Sequence, residues 1–261
     1  MSSVPPPAPQ APPAATEGQN PALGIVFRLC SVVCFALMAA AVKWTTSRGI
    51  PVMEVLSYRT PFASPPLLIY IASTTGFGIL RTQRLGSHMI RSAVGLTGMF
   101  CGFMATSHLP LTEAVALSFS APLFMTALSA LILKEHVGRH RWAAIAVGFL
   151  GVLIMARPDP GQMTSIGLVF ALGGALAAGG ATVAIRQIGR TEPGPAIVFY
   201  FQLSGVVLGL ISLPFCWVTP DLPTFAALVG LGLVGGGGQL CLTQSLKVGP
   251  VAAVAPFDYS P

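Results

Sequence analysis

The chain has 261 residues, 53% of them hydrophobic and only 8% charged, with a mean hydropathy of +0.76, whereas an ordinary soluble domain carries roughly 25% charged residues. A water-soluble fold of this size is excluded for want of polar surface, and lipid is the alternative solvent. The net charge of +6 does not point to nucleic acid, because the basic residues stand singly or in small groups between apolar runs, without a stripe of interleaved aromatics.

Residues 1–22, rich in Pro and Ala and free of Lys and Arg, have neither a core's apolar content nor the basic start of a signal peptide, and read as a disordered tail. Apolar runs then recur near 24–45, 53–76, 92–109, 112–134, 140–157, 165–186, 195–217 and 224–246, with a ninth beginning near 250; a spanning helix needs about 20 such residues. Numbering the turns alternately, the side shared with the N-terminus carries Arg81, Arg84, Arg91, Lys134, Arg139, Arg141, Arg186, Arg190 and Lys247. The opposite side carries only Lys43, Arg48 and Arg157. The excess of Lys and Arg predicts a cytoplasmic N-terminus. Cys30, Cys34, Cys101, Cys216 and Cys241 fall in or beside apolar runs without metal-ligand spacing and read as small buried hydrophobes.

The sequence repeats itself. Leu23 to Lys43 aligns without gaps on Ile166 to Arg186, a shift of 143 that also sets Arg59 on Gln202. A shift of 139 sets Gly98 on Gly237, Phe119 on Asp258 and Pro122 on Pro261. The copies are 23–157, holding spans one to five, and 163–261, holding spans six to nine. Five spans per copy is an odd number, so the second copy is expected to lie inverted in the bilayer, an arrangement typical of secondary transporters with a site near the midplane. In the first copy Pro122 is followed by about 35 residues, ending at Arg157, whereas nothing follows Pro261. The second copy is therefore expected to be incomplete, and the chain alone is expected not to support transport.

Candidate site residues are the polar groups at membrane depth. Asp258, about seven residues into the ninth span, is expected to face a polar cavity as a substrate contact or proton-coupling carboxylate, with Tyr259 beside it; a helix-terminal position is the alternative. Its repeat mate Phe119 is assigned to the same cavity. Arg59 precedes Pro61, Pro65 and Pro66, which are expected to break or bend the second span. It has three readings: holding a substrate carboxylate or phosphate, snorkelling to the outer interface, or pairing with Glu54. Gln239 follows the tetraglycine Gly235–Gly238, which opens either a cavity or a close helix contact, the cavity being preferred; Gln202 reads as helix glue. Glu113 and His108 read as interfacial. Gly230, Gly232 and Gly235 spell a dinucleotide-type motif, but no strand precedes them. Gly98-xxx-Gly102, Gly205-xxx-Gly209 and Gly232-xxx-Gly236 make better sense as helix contacts.

The stretches "LTEAVALSFSAPLF" (111–124), "LILKEHVGRHRWAAIAVGFLGVLIMARP" (131–158), "SYR" (57–59) and "VAPFDYSP" (254–261) resemble the EamA-type members of the drug/metabolite transporter superfamily. The resemblance covers roughly residues 22–261. It implies ten helices in two inverted five-helix copies, of which about nine are present here, and solute transport without ATP hydrolysis. The pattern is similar to the branch holding S-adenosylmethionine and riboflavin carriers and many exporters. Glu135 matches that family's recurrent acidic position, and is expected to form a structural or gate-closing ion pair with Lys134, Arg139 or Arg141.

The expected molecule is thus an all-α membrane protein, an inverted repeat of two five-helix bundles. It would move a small polar or amphipathic metabolite across the inner membrane by alternating access, driven by protons or by exchange. Its expected substrate-binding residues are Arg59, Phe119, Gln239, Asp258 and Tyr259. The alternative is a membrane-embedded enzyme acting on a lipid or small substrate. All four histidines read as loop residues, and His136-xxx-His140 lacks the internal Glu of a zinc protease motif. No cofactor or metal is expected. Partners are a small solute and the lipid bilayer, with protons and a homodimer left open. Cysteines placed beside Lys43 and Arg186 should react with impermeant thiol reagents from opposite membrane faces; labelling of both from one face rules out the inverted repeat.

Overall fold

A computed structural model describes residues 20–132, 138–156 and 165–248. Its helices are α1 (Pro21–Ser47), α2 (Val52–Thr74), α3 (Leu85–His108), α4 (Leu111–Ser118), α5 (Ala121–Ile132), α6 (Arg139–Ala156), α7 (Ser165–Ile188), α8 (Gly194–Cys216) and α9 (Leu222–Val248), with one 3-10 turn at Phe77–Leu80. The Asn20 side chain opens α1 by accepting from the Leu23 N–H at 3.1 Å, and Pro21 occupies the first helical position, where no amide is needed. Pro21–Ser47, Leu85–His108, Leu111–Ile132, Ile166–Ile188, Gly194–Phe215 and Leu222–Leu242 are each long and apolar enough to cross a membrane. Large apolar side chains cover the outside of the bundle, Phe215 at 85% and Ile154 at 74% exposure, as lipid-facing surface requires.

The second helix is the most interior. It carries Glu54, Arg59 and three prolines, and buries Leu56, Arg59, Ala63, Leu67 and Ile71 between α8 and α9. Its prolines do not break it: α2 runs without interruption from Val52 to Thr74. Each proline removes one amide donor, which takes the usual helical partner from the carbonyls of Ser57, Pro61 and Phe62. The third span begins at Leu85 rather than near 92, so His88 and Arg91 are helical and buried. His88 therefore lies inside a helix and not in a loop.

Close packing is organised by glycine. A Cβ on Gly98 or Gly174 would meet the backbone amides of Ala178 and Gly102 at 3.2 and 3.1 Å, at the α3–α7 seam. On Gly238 it would meet Cys34 and Phe35 of α1. On Gly232 and Gly236 it would meet Phe62 and Ala63 of α2, and on Gly205 and Gly209 it would meet Thr60 and Ser57. The tetraglycine thus serves mainly close helix contact, not a cavity, because Gly235, Gly236 and Gly238 are all against neighbours and only Gly237 faces open space. The glycine pairs of α8 and α9 are the helix contacts their spacing predicts.

Among the described residues, the polar contacts between helix ends named here fall into two sets. At one end Lys43 Nζ donates to the carbonyls of Ser107 (3.2 Å) and Leu109 (2.8 Å), closing the C-terminus of α3. There too Arg48 Nη1 lies 3.4 Å from Asp221 Oδ2, and Glu54 Oε2 accepts from the Val218 N–H at 2.9 Å. Asp221 Oδ1 also accepts from the Thr224 N–H, capping α9; hydrogen bonds from Thr224, then the charge of Arg48, hold its carboxyl below the usual aspartate range. At the other end Thr82 Oγ1 donates to Glu192 Oε1 (2.8 Å), His88 Nε2 lies 3.4 Å from Glu192 Oε2, and the Tyr200 hydroxyl donates to the Leu80 carbonyl (2.8 Å). The turns that share an end are those that alternate counting assigns to one side.

Gly236→Ala and Gly237→Ala form a matched pair. In the first, the new Cβ lies 2.5 Å from the Ala63 carbonyl oxygen, so stability should fall by about 1–3 kcal/mol. In the second, nothing lies within 4 Å, so stability should rise by about 0.5–1 kcal/mol. Melting temperatures in detergent that move the same way in both would refute this packing.

Candidate functional site

Arg59 and Gln202 are the repeat mates set together by the shift of 143, and they touch: Arg59 Nη1 donates to Gln202 Oε1 at 3.2 Å. Two residues related by a pseudo-twofold axis can bond to each other only near that axis. In an inverted repeat the axis lies in the membrane plane, at the midplane. Arg59 is 1% and Gln202 2% exposed, so Arg59 does not snorkel. Nor does it pair with Glu54, whose Oε2 takes the Val218 amide. Gln202 is more than helix glue, since it supplies the acceptor for a buried cation.

Arg91, 6% exposed, joins them. Its guanidinium lies 4.0 Å from the centre of the Phe201 ring, and that of Arg59 lies 5.9 Å from the same ring. Glycine makes the room: a Cβ on Gly95 would meet Arg91 Nη1 at 2.7 Å, and one on Gly235 would meet Met38 Sδ at 2.8 Å and Arg59 Nε at 3.5 Å. Among the described residues no carboxylate pairs with either arginine. A desolvated cation–π contact contributes about 2 kcal/mol, less than the several kcal/mol that a buried ion loses in hydration.

The fourth span is broken. Phe119 and Ser120 form a turn between α4 and α5, closed by Phe119 N–H to Ala116 O (3.2 Å) and Ser120 N–H to Leu117 O (3.1 Å). Ser120 O then accepts from Leu123 and Phe124 to start α5. Pro122 explains the break, because it has no amide for the Ser118 carbonyl and its ring would clash there. Beside the break is a cavity of about 240 Å³, walled by Met38 of α1, Gly98 and Gly102 of α3, Ser118 and Ala121 at the break, and Gly174 of α7. Small residues create this space.

A wider groove of about 980 Å³ runs between α3 and α8, lined by Ala93, Leu96, Thr97, Phe100, Leu203, Ser204 and Val207 among others. By the repeat, this seam is the mate of the α2–α9 seam. There Gly232 and Gly236 press on Phe62 and Ala63; their mates on α3 are Ala93 and Thr97, and both line the groove. One seam is shut and its counterpart stands open.

Of the residues expected at the site, Arg59 is buried against Gln202, Phe119 lies half-buried at the helix break beside the cavity, and Gln239 is half-buried on α9. Asp258, Tyr259 and Glu135 lie outside the described residues, and Arg139 opens α6. Sequence reading assigned Arg91 to the cytoplasmic flank. The signal available was Gly95, one turn further on, which leaves space for a long side chain folded against the helix.

Long apolar helices on all sides of a central buried cation pair define a polytopic membrane protein. The EamA-like transporter family model matches residues 22–157 and again 165–260, so the chain belongs to that family. It is similar to the pseudopaline exporter CntI of Pseudomonas aeruginosa, 30% identical over 90% of this chain and 82% of that protein. It is also similar to a riboflavin transporter of Vibrio cholerae, 25% identical over 92% and 82% of the two chains. An S-adenosylmethionine uptake transporter of Rickettsia prowazekii is 27% identical over 90% and 79%. One solved crystal structure shares the fold with a TM-score of 0.63 at 18% identity, covering 91% of this chain and 84% of its own.

Filling the 240 Å³ cavity tests whether it is used. Gly102 has nothing within 4 Å of its absent Cβ, so Gly102→Leu should fold normally, with a detergent melting temperature near the parent's. It should cut solute flux about tenfold or more, as an obstructed binding pocket does. Unchanged flux would remove the cavity from the pathway.

Proposed function

We propose that this protein is a secondary carrier of the inner membrane, with a cytoplasmic N-terminus, in which two inverted copies, 23–157 and 163–261, alternately expose a central site to either face. The observation that carries this reading is the unequal state of two seams that the repeat makes equivalent. The α2–α9 seam is shut by Gly232 and Gly236, while the α3–α8 seam is open along a groove of about 980 Å³. Exchanging the two states would reverse the face from which Arg59 and Gln202 are reached.

The solute is a small polar or amphipathic metabolite, a class supported by relatives whose names give pseudopaline, riboflavin and S-adenosylmethionine as cargo. The same names, which include both export and uptake, support a carrier rather than an enzyme. Phe119, Gln239, Asp258 and Tyr259 join Arg59 at the solute site, Asp258 carrying the coupling proton. Glu135 and Arg139 close a gate at the cytoplasmic end, and a second copy of the chain completes a homodimer.

Proteoliposome counterflow with radiolabelled flavin, S-adenosylmethionine and amino-acid panels tests the carrier reading. By a chain carrying both repeat copies complete, ATP-independent exchange of at least one solute is expected; no exchange of any solute by that chain, well folded, overturns it. Asp258→Asn should abolish the pH dependence of uptake while sparing exchange, and an unaltered pH profile removes Asp258 from coupling.

A further inference from the structure

The polar atoms left without partners at the centre of the bundle share one chemical character. Arg59 Nε, Arg91 Nε, Arg91 Nη1 and Gln202 Nε2 are all buried and all lack a hydrogen-bond partner among the described residues. Every one of them is an N–H donor, and two belong to permanent cations. Buried donors are normally matched, and guanidinium forks match the paired oxygens of a carboxylate or phosphate. The one acceptor in the cluster, Gln202 Oε1, is already used by Arg59 Nη1.

Three of the described carboxylates are committed elsewhere. Glu54 takes the Val218 amide, Glu192 the Thr82 hydroxyl and His88, and Asp221 Arg48 and the start of α9. The Phe201 ring accepts both guanidiniums on its face but satisfies no N–H by a directed bond. Both arginines are held in place, over Gly95 and Gly235, so the donors are fixed before a ligand arrives.

Access comes from the neighbouring space. Met38 Sδ and Arg59 Nε both lie over Gly235, and Met38 also walls the 240 Å³ cavity. A flexible thioether thus stands between that cavity and the Arg59 guanidinium. On the other flank, Ser92 and Leu203, the chain neighbours of Arg91 and Gln202, line the groove between α3 and α8.

We propose that Arg59, Arg91 and Gln202 form the receptor for an anionic group, carboxylate or phosphate, on the transported solute. This deepens the carrier reading and rests on it. Selection then runs against solutes that bring only positive charge to the axis, and Phe201 gives an aromatic wall beside the anion.

Binding tests this without requiring flux. Purified protein in phosphatidylcholine nanodiscs is titrated, at constant ionic strength, with citrate, succinate, inorganic phosphate and the uncharged succinamide, and the melting temperature is read. The anions should raise it by several degrees and succinamide should not, a comparison that needs no variant. Arg59→Gln and Arg91→Gln should each weaken the apparent affinity for the stabilising anion about tenfold or more, Arg59→Lys should weaken it less than Arg59→Gln, and Gln202→Ala should retain part of it. Equal response to succinate and succinamide, or responses unchanged in every folded variant, overturns the proposal. So does stabilisation that appears only when phosphatidylglycerol is added, which assigns the arginines to lipid headgroups. Anion binding that appears only in Asp258→Asn also overturns it, because the counter-charge is then the chain's own carboxylate. Flux without anion binding sinks this inference alone, whereas anion binding without flux sinks the carrier reading.

Discussion

A guanidinium inside an apolar helix bundle must be enclosed by protein, and the enclosure of Arg59 dictates much of what surrounds it. Lipid offers it no hydrogen bonds, so α2, which carries it, has to be interior. An interior α2 requires α8 and α9 to approach on both flanks, and helices approach that closely only where side chains are missing. Gly205 and Gly209 on α8 and Gly232 and Gly236 on α9 meet this requirement, facing Thr60, Ser57, Phe62 and Ala63. The same enclosure holds a buried Glu54 on α2, which carries three prolines in an unbroken helix. The low hydropathy of α2 is therefore a consequence of its position.

Most of the architecture was legible in the sequence because hydropathy and glycine spacing report on the two solvents a membrane helix meets, lipid and its neighbours. The spans that fall within the described residues appear in the expected order, the ninth, near 250, lying outside them, and the shift of 143 that aligned weakly similar apolar runs is the separation of Arg59 and Gln202 in contact. The misreadings share one cause. Arg91 and His88 were read as flanking groups because a charge in a hydropathy plot resembles a boundary, yet both are buried against aromatic rings, Phe201 and Tyr200. The tetraglycine was read as an opening because absent side chains leave space, but neighbouring helices fill that space with Met38, Ala63 and Cys34. The break at Phe119 is signalled by Pro122, whereas Pro61, Pro65 and Pro66 carry the same signal without a break. Those three sit in a helix packed on two sides, and Pro122 follows a turn between two serines. What a proline does depended on the packing around it, which composition does not show.

The two copies have diverged where symmetry would be most costly. Gly232 and Gly236 let α9 seat against α2, while their mates Ala93 and Thr97 stand on the wall of an open groove. A repeat that kept glycine at all four positions would close both seams with equal ease, and the bundle would have no reason to leave either open. Side chains at Ala93 and Thr97 thus set the α3–α8 seam apart from the glycine-packed α2–α9 seam.

The axis shows the same logic in one hydrogen bond. Identical residues meeting on a twofold must be self-complementary, and arginine, which has five N–H donors and no acceptor, is not. Two arginines at the 3.2 Å separation of Arg59 and Gln202 would set like charges and donors against each other in a dry interior. Two glutamines would bond each other well but would bring no charge to the midplane. One of each gives a donor facing an acceptor and leaves the cation with its remaining N–H groups unspent. A charged group on the axis of an inverted repeat therefore forces the repeat to become unequal there. The departure of Gln202 from its mate follows from the demand that Arg59 be both charged and buried.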